Sequence, residues 1–116
     1  MTKIQITKNN GTILGFVVSG HSGYAGEGSD IVCAAISSLS QMVCVGLENV
    51  LSLKPIIKIE NNNAYLSCFL SNDLTKEQMQ KAQILFMTFE ESVKCLLCGN
   101  KNYKKYINLE VKNEIY

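Results

Sequence analysis

The sequence predicts an α+β domain, a mostly antiparallel sheet with two helices packed on one face in the order ββαββαβ. Three observations predict it. Short apolar segments come in pairs, split by turns rich in asparagine and glycine. Two longer segments repeat their apolar residues at helical spacing. A single short apolar run then closes the chain. Two amphipathic helices on the same face of the sheet bury both apolar stripes at once.

The elements follow in order. Thr2 to Lys8 alternates, with Ile4 and Ile6 on one face, and predicts a strand. Asn9 to Thr12 (NNGT) is a hairpin turn, because Asn and Gly tolerate positive φ. The return strand, ILGFVVSG (Ile13 to Gly20), is more apolar, as a central strand would be. Four glycines then fall within nine residues: Gly20, Gly23, Gly26 and Gly28. Ordinary turns need one or two, so this loop is either mobile or passes its backbone close to something. From Ile31 to about Leu53 a long helix is predicted, its stripe formed by Val32, Ala35, Ile36, Leu39, Val43, Leu47, Val50 and Leu51. Asp30 is its expected N-cap, and Lys54-Pro55 its end. IIKIE and AYLSCFL flank NNN and predict a second hairpin. A second helix runs from about Asp73 to Cys98, with Leu74, Ala82, Leu85, Phe86, Phe89, Val93, Leu96 and Leu97 as its stripe and Gly99-Asn100 as its stop. KYINLEV is the final strand.

A length of 116 residues predicts a single domain, residues 1–116, and 47% hydrophobic content suffices for one core without disulfide or metal staples. All eleven basic residues are lysine and the net charge is +1. Bidentate phosphate and base recognition leans on the guanidinium fork, so dedicated nucleic-acid binding is not expected. The start, MTKIQITKNN, alternates instead of pairing a basic region with an apolar run, and predicts no secretory leader. No apolar run approaches the roughly 18 residues of a membrane span, so no membrane partner is expected and the predicted location is the cytoplasm. The five cysteines are odd in number and show no disulfide framework. In a reducing compartment they are expected as free thiols, most of them small buried hydrophobes.

One pair stands apart. The only histidine, His21, opens the glycine loop, and Cys33 lies twelve residues later at the start of the first long helix. With Asp30 as N-cap, Cys33 is the third helical residue, among amides that lack internal partners and at the positive end of the helix. A cysteine in such a place, or beside an imidazolium, is stabilised as thiolate. The face that continues from Cys33 is small and polar, with Ser37, Ser40 and then Cys44. The free amides could also serve an oxyanion. Because the loop must return the chain from strand end to helix start, it brings His21 near Cys33, where imidazole and sulfur can act as base and nucleophile. Glu27 and Asp30 are candidates for a third, orienting group. Spacing alone leaves the ordinary alternatives open: a solvated loop histidine, a packing cysteine and a tight glycine connection.

The run GHSGYAGEGSDIVCAAISSLSQ, Gly20 to Gln41, resembles the signature of the ribosomal-processing cysteine protease family, Prp. The resemblance rests on Gly20 and His21 after the second strand, a glycine-containing loop, and Asp30, Ile31, Val32, Cys33, Ala34, Ala35 and Ser37 at the helix start. Outside this run the likeness is mainly one of length and element order. It implies an endopeptidase that removes a short N-terminal extension from a large-subunit ribosomal protein precursor seated near the peptidyl-transferase centre. It implies His21 as general base and Cys33 as nucleophile, with Asp30 and Ser37 supporting the site. It further implies a homodimer, no cofactor, apolar or aromatic substrate residues before the cut, and a mobile loop (Gly23, Tyr24, Gly26 and Gly28) that orders around substrate. Ser22 stands where alanine is more usual, and Glu27 lies in a variable part of the loop. Neither departure removes a catalytic group.

The remaining motifs are weaker. CLLC (Cys95, Cys98) has metal-like spacing but no second knuckle, and a redox CxxC belongs at a helix start. The glycine loop lacks a following GK[ST] and places Glu27 and Asp30 where a phosphate would sit. NYKKYINLE mixes aromatics with lysines but is more simply a strand. The rival class is a non-catalytic ribosome-assembly module that holds a peptide or RNA with the loop. It predicts a Cys33 of ordinary reactivity towards alkylation.

Overall fold

The computed structural model of the chain describes residues 1–20, 27–61, 64–99 and 101–114. Five strands form one sheet: β1 (Thr2–Asn9), β2 (Thr12–Ser19), β3 (Ile56–Glu60), β4 (Tyr65–Phe69) and β5 (Ile107–Asn113), in spatial order β3-β4-β2-β1-β5. Helix α1 (Glu27–Val45) and a π-helical turn, Gly46–Val50, join β2 to β3. Helix α2 (Lys76–Gly99) and the single-turn α3 (Lys101–Lys104) join β4 to β5. The predicted ββαββαβ order is therefore present, with α3 added. Every strand pair is antiparallel except β1 with β5, which is parallel.

Local chemistry explains the strands. Asn10 and Gly11 hold φ of 50° and 84°, the left-handed pair that a two-residue hairpin turn requires to match the twist of its strands. The turn sets the register as far as Lys8 opposite Ile13, and a bulge between Thr7 and Lys8 then shifts it by one residue, which places Ile6 opposite Phe16 and Ile4 opposite Val18. Ile13 lies beyond the last β2–β4 partner, Gly15. Gln83 of α2 takes the place of a neighbouring strand there, its side chain accepting from the Ile13 N–H and donating to the Ile13 carbonyl, both at 2.8 Å.

The register collects Ile4, Ile6, Phe16, Val18 and Cys68 on one face of the sheet, all buried. Both helices cover that face. Helix α1 contributes Val32, Ile36 and Val43, the π turn Leu47, and α2 Ala82, Phe86, Phe89 and Val93 to the same cluster. Phe16 is its hub, stacked on Phe89 at 4.4 Å between centroids and edge-on to Phe86 at 6.0 Å. Each such side chain withdrawn from water stabilises the fold by about 1.5–3 kcal/mol. Glu90, buried beside this cluster, is paired with Lys8 at 3.1 Å.

Three boundaries differ from the sequence expectation. Helix α1 begins at Glu27, so Asp30 is a helical residue and not the N-cap. The π turn adds a residue to the helical repeat, marked by the Leu51 N–H donating to the Gly46 carbonyl five residues back. This turns Val50 out of the predicted stripe, to 75% exposure, and leaves Leu51 half-buried. Helix α2 begins at Lys76 and not near Asp73, because Thr75 and Gln78 form a capping box. The Thr75 hydroxyl accepts from the Gln78 N–H at 3.1 Å, and the Gln78 side chain accepts from the Thr75 N–H at 2.8 Å. Asp73 instead accepts a hydrogen bond from the Ser71 hydroxyl at 2.7 Å.

The expectation that no segment approaches a membrane span needs correction. Ile31–Val50 is long and apolar enough, by length and composition, to cross a bilayer. Its serines disguise this, since no uninterrupted apolar run occurs. In the fold, its Val32–Leu47 stripe is packed on the sheet.

Candidate active site

Cys33 is the seventh residue of α1, in its second turn, and is half-buried. The predicted placement among unpartnered amides therefore fails. Those amides belong to the very start of the helix, and the field of the helix end falls off within the first turn. What distinguishes Cys33 is a pocket of about 120 Å³ between α1 and the sheet.

Three parts of the chain build the pocket. From α1 come Cys33, Ser37 one turn on, and then Ser40 and Gln41, a single face at spacings of four, seven and eight residues. From the ends of β1 and β2 come Thr2, Val18 and Gly20. The β3–β4 hairpin supplies the far wall, including Ile59, Asn61, Tyr65 and Leu66. Among the described residues no charged side chain lines it.

Gly20 explains how the site is anchored. Its φ is +128°, and a Cβ there would collide with the Met1 carbonyl oxygen, so only glycine lets β2 end against the start of β1. This fixes Gly20, the residue immediately before His21, in the same pocket as Cys33, thirteen residues further along the chain. His21, Gly23, Tyr24 and Gly26 lie outside the described residues. Gly28 falls within α1 and not in the loop, and of Asp30 only the helical backbone position is described.

The small face of α1 changes character along its length. Ser37 remains half-buried and lines the pocket. Ser40, 1% exposed, donates to the Ile36 carbonyl at 2.7 Å. Cys44 is buried, hydrogen-bonded to Cys68 of β4. That hydrogen bond, with burial, pushes the Cys68 thiol far above the ordinary thiol range. All five cysteines are free, with Cys95 and Cys98 exposed at the end of α2. Only Cys33 lines this pocket. The polar stripe was legible in the sequence, whereas the β3–β4 wall was not. Its one signal is Ile59, an apolar residue on the covered face of an edge strand, 61% exposed.

Known proteins resemble this chain in sequence and in fold. The sequence profile of the family described as cysteine protease Prp matches residues 1–108. The ribosomal processing cysteine protease Prp of Bacillus subtilis (strain 168) is 28% identical over 103 residues, covering 89% of this chain and 88% of that protein. Among solved structures, a Streptococcus mutans protein superposes with a TM-score of 0.83 at 24% identity, over 98% of this chain and 96% of that one. The ribosomal processing protease Prp of S. aureus, in complex with a covalently linked product peptide, superposes with a TM-score of 0.78 at 23% identity, over 97% and 100%. These last two likenesses show the shared fold; the profile, matching nearly the whole length, decides between an enzyme and a non-catalytic module. The chain belongs to the cysteine protease Prp family.

Proposed function

We propose that this protease removes the N-terminal extension of a large-subunit ribosomal protein precursor, with Cys33 as nucleophile and His21 as general base. The observation that carries the reading is the pocket that joins Cys33 to Gly20, the residue before His21. The S. aureus relative, held with a substrate peptide in one structure and a covalently linked product peptide in another, supports a peptide substrate, and the name of the B. subtilis relative supports a ribosomal one.

The steps follow from ordinary thiol chemistry. His21 takes the Cys33 proton, and the sulfur adds to the scissile carbonyl to give a tetrahedral oxyanion. Collapse breaks the C–N bond while His21 returns the proton to the leaving amine. Water, deprotonated by His21, then hydrolyses the thioester and frees the sulfur. The helix-terminal amides expected to steady the oxyanion are too far back along α1 for that task. Ser37, one turn from Cys33 and lining the same pocket, is the hydroxyl we assign to donate instead. Asp30 supports the site from the first turn of α1. The enzyme works in the cytoplasm as a homodimer.

The deciding experiment incubates the purified protein with the extended precursor and follows product mass, beside Cys33→Ala and His21→Ala. One cut by the wild type, absent in both variants, is expected. Cleavage by Cys33→Ala at the wild-type rate overturns the assignment.

A further inference from the structure

Two sulfurs that the cleavage chemistry does not use face each other across the core. Cys44 is the penultimate residue of α1, and Cys68 lies in β4 between Phe16 of β2 and Ile57 of β3. Both belong to the buried cluster, and the Cys68 thiol donates a hydrogen bond to the Cys44 sulfur. The bond joins residues twenty-four positions apart in the chain (68 − 44 = 24). Each of the two elements also walls the Cys33 pocket, α1 with Cys33 and Ser37, β4 with Tyr65 and Leu66.

The two thiols are not equivalent. Cys68 is 0% exposed, whereas Cys44 keeps 8% of its surface. The hydrogen bond from Cys68 favours the thiolate of Cys44 and holds it below the ordinary thiol range, while the Cys68 thiol is pushed up. Cys44 is therefore the reacting sulfur, with Cys68 already beside it to resolve the product. Cys95 and Cys98, both exposed, are less suited to bonding each other. Three apart on a helix, their Cβ atoms stand about 5–6 Å from one another, beyond the roughly 3.5–4.5 Å that a disulfide spans.

We propose that Cys44 and Cys68 form a redox-modification site, which hydrogen peroxide converts to a disulfide that ties α1 to β4. The Cys44 sulfur breaks the O–O bond and takes one oxygen, giving a sulfenic acid and one water. The Cys68 sulfur then displaces that hydroxyl as a second water, and the S–S bond forms. The two thiols lose two hydrogens with their electrons, and the peroxide gains them. An S–S bond of about 2.05 Å is shorter than a hydrogen-bonded separation, so closure draws α1 and β4 together. The two walls of the Cys33 pocket are then linked covalently.

The test treats the folded full chain carrying Cys33→Ala, Cys95→Ser and Cys98→Ser, which leaves only this pair, with hydrogen peroxide. Circular dichroism of the reduced protein checks the fold beforehand. A mass loss of two hydrogens is expected, with one linked peptide pair holding Cys44 and Cys68 and reversal by dithiothreitol. Closing a loop of this length is expected to raise the urea midpoint by about 1–2 M. The same linked peptides are expected from the peroxide-treated wild type, so the result does not hang on the variant's folding. Cys44 unmodified in both proteins, or oxidised to sulfinic acid with no linked peptide, overturns the proposal. So does a link that forms only in urea, or one that leaves the midpoint unmoved.

Discussion

The five thiols of the chain differ by what surrounds them. Cys95 and Cys98 face solvent, Cys33 lines an open pocket, and Cys44 and Cys68 share a hydrogen bond in the core. Brief iodoacetamide treatment of the native protein is expected to label Cys33, Cys95 and Cys98. Cys44 and Cys68 are expected to react only after unfolding, as peptide mass mapping would show. Gly20 gives a second prediction at this scale. Gly20→Ala must move the Met1 carbonyl and strain a φ of +128°, so it is expected to cost more than about 1 kcal/mol and to lower activity by displacing the end of β2. Asp73 gives a third. The Ser71 hydroxyl, with a smaller backbone contribution, holds its carboxyl below the ordinary aspartate range. A lowered folded pKa stabilises above the unfolded value and loses that effect as pH falls through the folded one. Ser71→Ala is therefore expected to raise the Asp73 titration seen by NMR. At this scale the sequence was informative about chemistry and weaker about place. The polar face of Cys33 and Ser37 could be read from spacing, but the start of α1 could not, since Asp30 is as good a cap in principle as a first-turn acid.

The elements were legible wherever their signals were local. Asn10-Gly11 fixed the first hairpin, and apolar periodicity gave both long helices. The start of α2 is also written locally, as Thr75-x-x-Gln78, whose reciprocal bonds set the helix start where Asp73 does not. Thr75→Ala is expected to lower stability by about 1 kcal/mol, measured by denaturant titration. The π turn had no comparable signal, because a one-residue change of phase arises from packing at the helix end. Nor could periodicity show that Gln83 serves as a strand surrogate. Gln83→Leu leaves the Ile13 N–H and carbonyl without their partner, and is expected to cost about 1–3 kcal/mol.

For the molecule as a whole, Phe16 is where strand, α1 and α2 meet, so Phe16→Ala is expected to cost about 3–5 kcal/mol. The fold class was legible because two apolar helical stripes and one alternating sheet face admit few arrangements. The strand order was not, since pairing between distant segments leaves no mark on local periodicity. The candidate site divides the same way. Cys33 and the glycine beside His21 could be connected by loop length, whereas the wall from β3 and β4 depends on which strand lies next to β2. That wall faces the sulfur across the pocket.

The parallel pairing of β1 with β5 has a temporal consequence. Thr2, in the wall of the pocket, gives its N–H to the Tyr106 carbonyl at 2.8 Å, just ahead of β5. During synthesis the β1–β2 hairpin emerges first, yet its outer edge stays unpaired until residues 107–113 have left the ribosome. The nascent protease therefore carries an open sheet edge until β5 docks, and Thr2 in the pocket wall finds its Tyr106 partner only at that stage.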